Sequence, residues 1–257
     1  MKLHNYLGKA ALLAAASLIA SAASAETFGF STGGTNSSNT YGNVRTFTGS
    51  NGTKVEVTGY SLSGSTLAKG YVGQYSGYGL GVTDTAENGS SPGHTVDNSG
   101  RIDFLILQFD KAVDVSQLGF TAWGDTDISW AVGTTATPFN STLNFANWAA
   151  VDNAFNAFQE SNGNKMNDGS AFSRSINGGS GNLLFVSASL TKGGDYTYNR
   201  WGQVTGGGPD YVKLKSLTET LTPPPPVPEP ASWAMMIGGL AVVGSAMRRR
   251  KTAVSFA

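Results

Sequence analysis

The sequence predicts an all-β exported domain, an antiparallel β-sandwich of jelly-roll type, followed by a single C-terminal transmembrane helix. Three observations predict it. Short stretches with apolar residues at alternate positions recur through the middle of the chain, separated by segments rich in Gly, Ser, Thr and Asn. The chain holds 34 glycines and is only 13% charged, a composition that suits many turns between strands. No unit of about 20–50 residues repeats, which removes solenoids and leaves a sandwich around one apolar core.

The N-terminus reads as a secretory signal over residues 1–25. Lys2 and Lys9 make a basic start, residues 10–20 are an apolar run, and Ala23, Ser24 and Ala25 are small enough for the pockets of a signal peptidase. The expected cut lies between Ala25 and Glu26. The run falls short of the ~20 residues a membrane anchor needs, so a removed signal is the better reading.

The exported domain is expected over residues 26–222, with the sandwich itself from about Thr46 to Leu217. Glycine-rich residues 31–52 and 162–181 read as loops. Residues 54–60 alternate, with Val55 and Val57 on one face. Residues 101–109 place Leu105, Leu107 and Phe109 behind Asp103 on one face and Phe104 and Ile106 on the other, the pattern of a central strand. Val113 and Val115 share one parity, whereas Leu118, Phe120 and Ala122 share the other, so a bulge or short turn is expected near Ser116 and Gln117. Ile128, Trp130 and Val132 alternate again, and residues 182–190 and 210–217 complete the strand set. Residues 144–160 stay open between a short helix and a turn-broken strand, because Trp148, Val151, Phe155 and Phe158 have helical spacing in a run of indifferent helix formers.

Charge is unevenly distributed. Residues 26–222 hold 11 basic and 16 acidic side chains, a net of −5. That argues against a nucleic-acid partner, which requires clustered Lys and Arg. There are no cysteines, so stability outside the cell must come from the apolar core.

Chemistry is sparse. Asp84, Asp97, Asn98, Asp103, Asp125 and Asp127 are hard oxygen donors near expected strand ends, and calcium takes ~6–8 such oxygens. Asp97, Asn98, Asp125 and Asp127 are the expected ligand set, calcium being the one cofactor considered. The same residues also read as turn formers and strand caps that need no ion. After signal removal His94 is the one histidine, no Gly-x-Ser-x-Gly elbow exists, and zinc would lack His and Cys partners. An enzyme is therefore not expected. A secreted glycan-active hydrolase working with two carboxylates is the alternative. Two aromatic clusters, Tyr71–Tyr75–Tyr78 and Tyr196–Tyr198–Trp201, could stack on sugars or simply fill a core.

The C-terminus carries the most specific signal. Prolines 223–226 within residues 223–227 form an extended linker. Pro228, Glu229 and Pro230 follow, then Trp233 and an uncharged stretch to Met247, then Arg248, Arg249, Arg250 and Lys251. About 17 uncharged residues are the lower limit for a span, Trp233 lies where an interfacial aromatic belongs, and the cations mark a cytoplasmic end. These residues, 228–251, resemble the PEP-CTERM sorting signal, a C-terminal motif also found on some ice-binding proteins. The resemblance implies a Gram-negative bacterium that makes exopolysaccharide. In it, an exosortase reads Pro228, Glu229 and Pro230, and the protein passes from a transient membrane anchor to the cell surface or extracellular matrix. Ice binding would need a flat repeated Thr or Ala face, and the sequence has none.

A second resemblance covers residues 71–217 with gaps. A Gly79-Leu80-Gly81-Val82 element, a His94-x-x-Asp97-Asn98 box, an Asp103-Phe104 strand and an Asp125-x-Asp127-Ile128-Ser129 element look like a family of exosortase-dependent surface proteins. It implies fold and location and carries no reaction. The expected function is that of a non-catalytic surface or biofilm-matrix protein whose partners are signal peptidase, exosortase and exopolysaccharide.

Overall fold

The computed structural model describes residues 25–32, 40–87, 89, 93–141, 143–191, 197–198, 200, 204–206, 208–221 and 230–248. Strands run in the order β1 (Ala25–Gly29), β2 (Val44–Thr48), β3 (Lys54–Ser63), β4 (Thr66–Tyr75), β5 (Gly79–Thr83), β6 (Val96–Asp97), β7 (Ile102–Ala122) and β8 (Ile128–Gly133). A short helix α1 (Trp148–Asp152) precedes β9 (Gln159–Ser161), β10 (Ser170–Ser175), β11 (Ser180–Ala188), β12 (Thr197–Tyr198), β13 (Val204–Gly206), β14 (Tyr211–Leu221) and helix α2 (Pro230–Arg248). The expected signal segment, residues 1–24, lies outside the described residues. The expected cut falls one residue inside β1, whose Glu26 sits opposite Glu219 of β14.

The all-β expectation stands, and the named strands pair antiparallel throughout. Where a two-sheet jelly roll was expected, five strands close into a ring: β14, β5, β4, β3 and β7 are successive neighbours, and β7 pairs back onto β14. The closing strand is β7, whose 21 residues exceed the ~3–10 of an ordinary strand. Its first half lies between β3 and β11, and its second half between β14 and β10. One strand therefore serves both sides of the molecule. The bend that allows this falls where the apolar parity switches: Gln117 pairs with Thr218 and Val115 with Glu219, leaving Ser116 as an unpaired extra residue.

Inside the ring, Leu105, Leu107 and Phe109 of β7 meet Val55 and Val57 of β3, Leu80 and Val82 of β5, and Val212 and Leu214 of β14. Each such fully buried side chain contributes roughly 1.5–3 kcal/mol. The alternate face of β7 presents Phe104 and Ile106 to a second core with Tyr60, Phe155 and Phe185, roofed by α1. The central-strand reading of residues 101–109 thus holds on both faces. Residues 144–160 contain both alternatives. Asn147 caps a helix of 5 residues by accepting from Ala150 N–H, and the chain then turns into β9.

Two glycines of β5 permit closure. Gly79 has φ +117°, and a Cβ there would lie 2.3 Å from Leu214 O of β14. At Gly81 a Cβ would lie 2.0 Å from His94 O. The Gly-Leu-Gly-Val element is thus a core strand, through Leu80 and Val82, whose glycines let two neighbouring backbones approach.

The transmembrane expectation finds no support among the described residues. Helix α2 forms over Pro230–Arg248, with Met235, Ile237, Leu240 and Val242 exposed. Yet no helix among the described residues is long and apolar enough to cross a membrane. Ser232, Gly238, Gly239, Gly244 and Ser245 dilute the apolar character of its 19 residues.

Candidate functional site

The polar groups of the fold gather at one end of the barrel, where β5 ends, β6 pairs with the start of β14, and β7 begins. Lys213 is the most unusual of them. It lies on β14 between core residues Val212 and Leu214, so alternation turns it to the outer face. There it is only 1% exposed. Its Nζ sits 4.2 Å from the centroid of Trp123, 4.5 Å from that of Tyr75, and 2.9 Å from His94 Nδ1. Burial pushes the ammonium down to about 7, against the pull of the Asp97 carboxylate. Burial and the adjacent Lys213 charge hold His94 down to about 4.

Above this buried cation lies an open aromatic surface. Tyr78 is 46% exposed and its ring stands 5.2 Å from that of Trp123. Tyr75 lies 4.5 Å from the His94 imidazole. Of the first expected aromatic cluster, Tyr75 and Tyr78 face this surface, whereas Tyr71 is buried and accepts from Arg45. In the second cluster, Tyr196 and Trp201 lie outside the described residues.

The expected calcium ligands are divided between two acidic clusters. Asp125 and Asp127 meet Asp210, with one oxygen of each within 4.8 Å of the others. All three are buried, and the protein itself satisfies them closely. Asp210 Oδ1 accepts from Asp127 N–H at 3.0 Å, and Oδ2 accepts from Asn98 Nδ2 at 2.7 Å and Ser189 N–H at 3.2 Å. Asn98 Oδ1 accepts from Asp210 N–H in return, Asp125 caps Thr126 N–H, and Asp127 accepts from Gly163 N–H. Burial, with Asp127 and Asp125 close by, pushes Asp210 up to about 8. This knot ties the 97–99 turn to the ends of β7, β11 and β14, with Asn98, Asp125 and Asp127 each accepting a backbone N–H.

Asp97 joins a different group, in which its carboxylate, that of Glu87 and that of Asp103 each offer an oxygen within 4.8 Å of the others. Asp84 stands beside them but is engaged: Arg101 Nε pairs with its Oδ2 at 3.3 Å, and Ser61 Oγ donates to the same oxygen at 3.0 Å. Burial is the main cause that raises Asp97 to about 7, Asp103 well above the usual carboxylate range, and Glu87 in the same direction.

The other functional element is the C-terminal tail. Pro230 opens α2, a position where its missing N–H is not needed. Trp233 lies one turn in, 53% exposed, and Arg248 is the last helical residue. Pro228, Glu229, Arg249 and Arg250 lie outside the described residues. A family model described as the PEP-CTERM protein-sorting motif matches residues 226–251. The chain carries a PEP-CTERM sorting motif. The motif implies export, sorting and processing by an exosortase, and surface localisation. It covers Pro228, Glu229, Pro230, Trp233 and the Arg248–Arg249–Arg250 cluster, the residues singled out from the sequence. No curated protein and no solved structure matches the chain.

Four residues of this end escape a sequence reading. Asp210 looks like an ordinary strand start after Gly-Pro, and Glu87 like one polar residue of a loop. Trp123 precedes Gly124 with no partner in sight, and Lys213 alternates with Lys215 as on a solvated face. Contacts between separate strands and loops, such as Asn98 with Asp210 and Trp123 with Lys213, bring them together.

Proposed function

We propose that this exported protein is a non-catalytic surface or matrix component that contacts extracellular polysaccharide through the Tyr75, Tyr78 and Trp123 face. One observation carries the reading: an exposed Tyr78 ring set against Trp123, backed by the buried Lys213 ammonium. Flat aromatic rings stack on the apolar faces of sugars, and a fixed arrangement avoids the entropy cost of ordering them on binding. The cation beneath attracts the π-faces of Trp123 and Tyr75 and holds those two rings in place.

The alternative, a glycan-active hydrolase, finds less support. Asp125 and Asp127, the carboxylates that share a strand face, and Asp210 beside them are at most 6% exposed and already accept backbone hydrogen bonds. A general acid needs reach to the leaving oxygen, and these side chains are turned into the protein.

The test is binding of the protein, purified after export, to the exopolysaccharide of its host. Wild type should be retained, and Trp123→Ala and Tyr78→Ala should each weaken binding about tenfold or more, with no new reducing ends released. Unaltered binding in both variants would sink the assignment of this face. Release of sugar ends that disappears in Asp125→Asn would establish the hydrolase instead.

A further inference from the structure

We propose that Glu87, Asp97 and Asp103 form a binding site for calcium at the end of the barrel. The three carboxylates come from separate elements: Glu87 from the loop after β5, Asp97 from β6, and Asp103 from the second position of β7. Their nearest oxygens lie no more than 4.8 Å apart, which is twice a calcium–oxygen bond of about 2.4 Å. Three carboxylates supply from three to six oxygens, the larger part of a calcium shell.

The decisive observation concerns Asp103. It stands on the inward face of β7, in line with Leu105 and Leu107, opposite Ser61 of β3. It is 1% exposed, and its Oδ1 has no hydrogen-bond partner. A buried carboxylate oxygen without a donor is strongly disfavoured, and it becomes an asset when it faces a cation.

Ser61, opposite Asp103, also bonds its carboxylate, and the other local donors are committed to neighbouring oxygens. Arg101 and Ser61 serve Asp84 Oδ2, and Ala86 N–H serves Asp84 Oδ1. Thr95 Oγ1 and Ser99 N–H hold the two oxygens of Asp97, while Asp84 N–H holds Glu87 Oε2. These bonds orient the carboxylates and leave lone pairs pointing elsewhere. Arg101 balances Asp84, so three acidic groups remain together at low exposure. The neighbouring Asp125–Asp127–Asp210 knot provides the contrast. It has similar charge, but its oxygens are taken by backbone N–H groups and Asn98.

The protein as purified after export would be stripped with chelator and then titrated with calcium chloride, following heat of binding and thermal unfolding. One calcium per chain is expected, with a Tm rise of about 5–10 °C at a hundredfold excess over Kd. Asp103→Asn keeps the shape and removes one charge. It should fold with a chelated Tm at or above that of wild type and should lose the calcium response. Glu87→Gln, at the half-buried edge, should weaken calcium at least tenfold without lowering the chelated Tm. Asp127→Asn should retain the response. Coincident wild-type melts with no heat at millimolar calcium would overturn the site. A response kept in Asp103→Asn but lost in Asp127→Asn would overturn it too, in favour of the other cluster.

Discussion

Lys213 Nζ lies 2.9 Å from His94 Nδ1, so a buried ammonium donates to an imidazole that must stay neutral to accept. Both groups are held below their ordinary proton affinities, Lys213 at about 7 and His94 at about 4. The pair joins β14 to the box that contains His94, Asp97 and Asn98, beneath the aromatic face proposed to meet polysaccharide. The Tyr75 and Trp123 rings attract the charged form, while burial opposes it more strongly.

A pH dependence follows with a definite sign. Between about pH 7 and 10.5 the unfolded chain keeps the Lys213 proton and the folded chain has lost it. The unfolded state then binds more protons, so this group makes stability rise with pH across that window. Asp97 and Asp210, raised to about 7 and about 8, act oppositely and lose their contribution as pH climbs from about 4 to 8. Comparison with Lys213→Met isolates the lysine. The variant should melt higher than wild type at pH 6, and the gap should shrink steadily towards pH 10. A gap that stays constant across that range would show that Lys213 is not held deprotonated by burial.

The sorting motif makes its own prediction. Within residues 226–251, Glu229 is the one acidic residue, and in the sequence it stands between Pro228 and Pro230. Glu229→Ala removes that charge without touching the β-barrel. The variant should accumulate in the host as a heavier, unprocessed form that fails to reach the surface fraction. Mass spectrometry and cell fractionation read this directly, and normal processing would mean that the exosortase does not use Glu229.

How far the sequence could be read depended on where the information lay. Residues 101–109 declared a central strand because both faces are apolar, and the parity switch at Ser116 foretold the bulge that lets β7 bend. Strands β2 and β10 were concealed in stretches expected to be loops. In β10, Phe172 is the one large apolar residue among Ser, Ala and Arg, so alternation has almost nothing to register. Ring closure was also hidden, since it depends on one strand changing partners halfway along its length. At the candidate site, Asp97, Asp125 and Asp127 were visible as a residue type in suggestive places. Their division into two clusters was not, because Asp210 enters through long-range packing and Glu87 from a loop with no pattern to mark it.

Asp210 offers the clearest test of that packing. Its carboxylate accepts from Asp127 N–H, Ser189 N–H and Asn98 Nδ2, joining four parts of the chain in a fully buried position. Truncation to Ala would strand these three donors away from water, and each buried unsatisfied group costs about 1–3 kcal/mol. Asp210→Ala should therefore lose roughly 3–6 kcal/mol in urea unfolding, a large share of the stability of an ordinary domain. Asn98→Ala removes one donor and one acceptor of the same knot and should cost less, with a non-additive double variant because the two residues share bonds. The Asp210→Ala variant also separates the two acidic groups: calcium should still stabilise it if the ion sits on Glu87, Asp97 and Asp103. A loss below about 1 kcal/mol in Asp210→Ala would mean that water replaces the carboxylate and that this end of the barrel is open rather than tied.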